Sequence, residues 1–107
     1  MHAGIEETLR KMVARIVERF APDKIILFGS HARGTSGPDS DVDLLVVMEP
    51  RHTKASQELD ILKALRGYRV PKDVVVTTPG DFAWRKAIPG TIERPAAREG
   101  RILYEKG

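Results

Sequence analysis

The apolar positions recur with two periods. Leu9, Met12, Val13, Ile16, Val17 and Phe20 follow i, i+3, i+4 spacing, which gathers them on one face of an amphipathic helix; Glu6 and Glu7 lie near its positive end and Pro22 stops it. Lys24–Phe28 is short, β-branched and apolar, the pattern of a buried strand. Residues 41–48, DVDLLVVM, are apolar except at the first and third positions and are closed by Glu49-Pro50, so they read as a second strand. Between the two, HARGTSGPDS over residues 31–40 predicts a loop or a brief helical turn.

Thr53 then caps a helix whose Leu59, Leu62 and Leu65 are expected to face inward and which Gly67 ends. Val70–Thr77, with Asp73 inside an apolar run, is a third strand. The final thirty residues carry a weaker pattern. Thr78-Pro79-Gly80 reads as a turn and Phe82–Ala87 as a helical stretch, Pro89, Gly90 and Pro95 interrupt the segment after it, and residues 101–104 form a last short strand. The order α, β, β, α, β predicts an α/β (α+β) fold, a small mixed sheet flanked by helices, with residues 1–107 as a single domain.

Composition removes several classes of function. At 107 residues, 41% hydrophobic and 31% charged, the chain has no apolar run near the roughly 20 residues a membrane-spanning helix needs. Its opening residues lack the apolar stretch and cleavage site of a secretory signal, so a cytoplasmic protein without a membrane partner is expected. The lack of cysteine excludes disulfides, thiolate metal sites and thiol catalysis, and His2, His31 and His52 are too scattered for a zinc site. Any metal should be held by oxygen. The net charge of +3 divides into −2 over residues 1–49 and +5 over residues 50–107. A solvated helix face explains that spread better than a nucleic-acid footprint, which clusters more tightly, so no nucleic-acid partner is expected. Trp84 is expected to pack half-buried rather than to serve as a partner-facing anchor, and His31 to lie in a solvated loop rather than to touch phosphate.

The chemistry centres on Asp41 and Asp43. Two residues apart on a strand they point to the same face, with Cα atoms about 7 Å apart. Paired anions beside an apolar strip repel and lose hydration, a combination proteins accept mostly where a cation binds. An oxygen-seeking divalent ion such as Mg²⁺ suits them, and it draws its remaining ligands from water and substrate phosphates. Gly29-Ser30 ends the preceding strand, where glycine lets a phosphate approach the backbone and a following helical turn offers free N–H groups. Asp73, near the entry of another strand, falls about 5 Å from the pair if the strands are neighbours. Three carboxylates can hold two metals, which stabilise the attacking and leaving oxygens of an in-line displacement at phosphorus. As a lone Asp at a strand entry, Asp73 reads equally well as a solvated turn residue.

Gly29-Ser30, ten intervening residues, then Asp41-Val42-Asp43 with Leu44-Leu45-Val46 behind resembles the signature of the DNA polymerase β-like nucleotidyltransferase superfamily. GSHARGTSGPDSDVDLLVVM and the tail REGRILYEKG are similar to the minimal nucleotidyltransferase (MNT) domains, the antitoxin type of HEPN/MNT toxin–antitoxin modules. The resemblance implies that Gly29 and Ser30 bind the triphosphate of ATP and that Asp41 and Asp43 ligate Mg²⁺. It implies that Asp73 completes the triad as a catalytic and metal-ligating residue and helps activate the acceptor. Arg33 falls in the G-S-x-x-R-G pattern and braces either the phosphates or the loop itself. Pro89 and Pro95 stand where related chains run helical. Only 34 residues follow Asp73, too few for a separate acceptor domain, so the acceptor hydroxyl is expected on another chain. The implied reaction is transfer of AMP from ATP to a protein hydroxyl, a tyrosine of a HEPN-domain toxin. Two alternatives remain open, an antitoxin that neutralises its partner by binding alone and a basic nucleic-acid-binding module; association of the chain with itself as a homo-oligomer is compatible with each reading.

Overall fold

The computed structural model describes residues 3–37 and 40–107; His2, and Pro38 and Asp39 of the loop expected at residues 31–40, lie outside them. The elements run α1 (Ala3–Phe20), β1 (Lys24–Phe28), α2 (Ser30–Arg33), β2 (Val42–Val47), α3 (Lys54–Ala64), β3 (Lys72–Thr77), α4 (Pro79–Arg85), α5 (Glu93–Glu99) and β4 (Arg101–Glu105). The strands form one sheet in the order β3-β2-β1-β4. β1 pairs antiparallel with β2 and β4, and β2 pairs parallel with β3, so the expected mixed sheet is formed.

Strand alternation gives the sheet two different faces. Val42, Leu44 and Val46 of β2 point to the face covered by α1 and α3, where they pack with Leu9, Met12, Ile16, Ile61, Leu65, Val74 and Val76. Leu45 and Val47 point the other way, into a smaller cluster with Ile26, Phe82 of α4 and Ala96 of α5. Asp43 and Asp73 belong by alternation to this second face. The α4–α5 pair covers its far end and leaves Asp43 half-buried and Asp73 exposed.

Several sequence readings need correction. Leu59 is 52% exposed; the inward face of α3 is Gln57, Ile61 and Ala64, continued by Leu65, spaced i, i+4, i+7, i+8, which leaves position 59 on the opposite side. The helix ends at Ala64 with Leu65 as its cap rather than at Gly67. Pro79 and Gly80 are not a turn but the first residues of α4, whose N-cap Thr78 accepts a hydrogen bond from the Asp81 N–H at 3.0 Å; proline suits that position because its missing N–H would have no helical partner. Pro95 is tolerated for the same reason, in the first turn of α5. Trp84 is 59% exposed rather than packed. Among the described residues no helix is long and apolar enough to cross a membrane.

Candidate active site

The site is built where β1 ends and β2 and β3 begin. Gly29, directly after β1, has φ 76° and ψ −156°, a conformation open essentially to glycine. Its missing side chain is also a spatial requirement, since a Cβ there would lie 2.3 Å from Asp43 Oδ2. Phe28 and Asp43 are register partners, which is why the turn and the carboxylate meet. Ser30 opens the single-turn α2, and the first N–H groups of a helix have no partner inside it. The Asp43 carboxylate thus lies against a backbone able to receive phosphate oxygens.

Parallel register places Asp73 opposite Asp43. Asp41 stands one residue before β2 and is exposed. The Asp43 carboxyl is raised above its ordinary range, first by burial, then by the Asp73 and Asp41 carboxylates, against the pull of His31 and Arg33. The fold therefore brings together the three acids singled out in the sequence. Their side chains are not closed into a ready-made cage: among the described residues no group of three or more His, Cys, Asp or Glu side chains is placed to hold a metal ion unaided. A Mg²⁺ ion that keeps waters and borrows phosphate oxygens does not need such a cage. The all-oxygen donor set and the glycine-only approach to Asp43 fit it.

Arg33 is exposed and pairs loosely with Glu99 of α5 at 3.7 Å, so in this structure its guanidinium braces α2 against α5. His31 departs from the solvated-loop reading. Its ring is half-buried, Nε2 donates to the Ser40 carbonyl at 3.1 Å, and Nδ1 is enclosed without a partner. Sequence reasoning placed it in a solvated loop because nothing in residues 31–40 marks the Ser40 carbonyl as its partner. A groove of about 590 Å³ between α1 and β4 is lined by Glu6, Glu7, Leu9, Arg10, Val13, Arg101 and Leu103. None of Asp41, Asp43 and Asp73 lines it.

The nucleotidyltransferase domain family matches residues 9–98, and the chain belongs to that family. It is 41% identical over 102 residues to the protein adenylyltransferase MntA of Thermococcus cleftensis, an alignment covering 94% of this chain and 91% of that protein. Its fold is similar to that of a toxin–antitoxin solved with AMP-PNP, with TM-score 0.55 and 18% identity over 91% of this chain and 73% of the other. It is also similar to a variant of the toxin–antitoxin MntA-HpeT, with TM-score 0.59 and 16% identity over 92% and 72% of the two chains. The chain is a nucleotidyltransferase.

Proposed function

We propose that this nucleotidyltransferase transfers AMP from ATP to a hydroxyl of a partner protein, a tyrosine of a HEPN-domain toxin, and thereby acts as a cytoplasmic antitoxin, with residues 1–107 working as one minimal nucleotidyltransferase domain. The observation that carries the reading is the meeting of the glycine-only turn at Gly29 with Asp43, which has Asp73 beside it in register and Asp41 two residues before it. The adenylyltransferase name of the MntA relative supports the choice of AMP, and the toxin–antitoxin neighbours support a toxin as acceptor.

In this reading Gly29 and Ser30 receive the triphosphate, while Asp41 and Asp43, joined by Asp73, hold one or two Mg²⁺ ions. Bound there, Mg²⁺ supplies charge neutralisation at the phosphates and polarises the phosphorus for attack. The acceptor oxygen forms a bond to the α-phosphorus as the bond from that phosphorus to the pyrophosphate oxygen breaks. The hydroxyl proton passes to the Asp73 carboxylate, which is exposed. Pyrophosphate leaves.

The test is incubation with α-labelled ATP, Mg²⁺ and the protein encoded beside this one. Label should appear on the neighbour, and Asp41→Asn or Asp43→Asn should reduce it by about a thousandfold or more, since a lost metal ligand removes several kcal/mol of transition-state stabilisation. Wild-type labelling by a folded double variant would sink the enzymatic reading. Equal neutralisation of the toxin by wild type and the double variant would replace modification by simple masking.

A further inference from the structure

Asp41 precedes the first β2 residue, so the strand ladder fixes it only from one side, where the Val42 N–H bonds the Pro71 carbonyl at 2.8 Å. On its other side stands Ser40. The Ser40 N–H bonds the Gly37 carbonyl at 3.2 Å, and its Oγ accepts from the Gly37 N–H at 2.8 Å. These two bonds tie the loop only to itself. The hydrogen bond from His31 Nε2 to the Ser40 carbonyl ties it to α2, the helical turn that starts at the Gly29-Ser30 corner. Because a carbonyl can only accept, Nε2 carries the proton. In the neutral ring, Nδ1 then presents a lone pair, and it is this nitrogen that lies enclosed without a partner. Among the described residues no second hydrogen bond competes for the ring.

We propose that His31 is a positioning residue: through the Ser40 carbonyl it holds Asp41 at a set distance from the Gly29-Ser30 turn, so that one metal ion can touch both Asp41 and a phosphate seated on that turn. The inference rests on the proposed metal site at Asp41 and Asp43. Its physical reason is stringency. Mg²⁺ demands near-ideal octahedral geometry, and a ligand on a loop must be ordered at an entropic cost that a pre-formed tether removes. Outer partners that orient metal ligands typically change metal affinity by 10–100-fold when lost.

The experiment measures Mn²⁺ binding by electron paramagnetic resonance, in the presence of a non-hydrolysable ATP analogue, for wild type, His31→Phe, His31→Gln and Asp41→Asn. Phenylalanine keeps a ring and loses the donor; glutamine restores a donor near the same place. Mn²⁺ affinity should fall by about tenfold or more in His31→Phe, with a melting temperature close to wild type, and His31→Gln should recover most of it. Wild-type affinity in His31→Phe, or a glutamine variant no better than phenylalanine, overturns the positioning role. Should His31→Phe not fold, His31→Asn, too short to reach Ser40, takes its place under the same criteria. Unchanged Mn²⁺ binding in Asp41→Asn would instead overturn the metal-site reading, which keeps the two failures apart.

Discussion

At Gly29 two demands coincide, a positive φ and the lack of room for a side chain in front of Asp43 Oδ2. Gly34 has nearly the same φ, 74°, but open space around it, and so serves as the control. Gly29→Ala should cost about 2–4 kcal/mol, adding collision to strain, while Gly34→Ala should cost about 1 kcal/mol from backbone strain alone. Equal costs in chemical denaturation would mean that the carboxylate does not abut the turn. The residue it abuts makes a prediction of opposite sign. Burial, with Asp73 and Asp41, raises the Asp43 carboxyl above its ordinary value of 3.8, so the native state binds this proton more tightly than the unfolded chain does. Its favourable contribution is full below the unfolded value and is lost as pH rises through the folded one. In chelator at neutral pH, Asp43→Asn should therefore be more stable than wild type, by less than about 1 kcal/mol given the partial exposure of the site. That gain should vanish as the pH falls below about 3.8. A destabilised Asp43→Asn in urea titrations would contradict the repulsive cluster.

At the scale of elements, α4 and α5 are held to the end of β3 by one buried acid. Glu93 Oε2 accepts from the Thr77 hydroxyl at 2.7 Å, and Oε1 accepts from Arg85 Nε at 3.3 Å. Burial alone would raise the Glu93 carboxyl, but the bonds from Thr77 and its own backbone N–H, together with Arg85, outweigh it and lower the value below 4.5. The stabilisation is thus present above about pH 4.5 and is lost as pH falls through the lower folded value. Glu93→Gln should cost about 1–3 kcal/mol at neutral pH, because the neutral amide loses the charge-assisted bond with Arg85, and the two proteins should converge in stability at acid pH. A pH-independent difference would remove the carboxylate from that role. At the other end of α5, a Cβ on Gly100 would lie 2.2 Å from the Ala96 carbonyl oxygen and 2.5 Å from Ile26 Cγ2. That glycine lets the chain pass directly from helix to edge strand against β1.

Across the whole molecule, ligand binding and folding are linked. If the acids and the Gly29 turn bind metal and nucleotide together, Mg²⁺ with AMP-PNP at about 100 times the dissociation constant should add about 2.7 kcal/mol of stability, a melting shift on the order of 10 °C. The Asp41→Asn/Asp43→Asn variant should shift little under the same conditions. Equal shifts in both proteins would place the nucleotide elsewhere on the surface. The α1–β4 groove is the comparison to make in that case.

Sequence alone determined the strands and the order of α1, β1, β2, α3 and β3, because each carries its own signal: a 3.6-residue stripe in α1, apolar runs in β1 and β2, the Thr53 cap of α3 with its bond from the Ser56 N–H at 3.0 Å; the single turn of α2 has no such signal and was left between loop and helical turn. It also marked Gly29, Ser30, Asp41, Asp43 and Asp73 as candidates, because phosphate approach and paired carboxylates restrict residue type within a short span. Which strands are neighbours is not a local property, and only the tertiary structure decided that Asp73 faces Asp43, 30 positions earlier, in parallel register. Leu62 and Leu65 do pack against the core, but Leu59 was misread because a leucine marks the inward stripe of a helix only when the sheet beneath it is known. Trp84 was misread because a large apolar side chain carries no record of whether a neighbour will cover it. His31 was placed in solvent for the same reason: its partner is a backbone carbonyl nine residues away, and a carbonyl has no letter in the sequence.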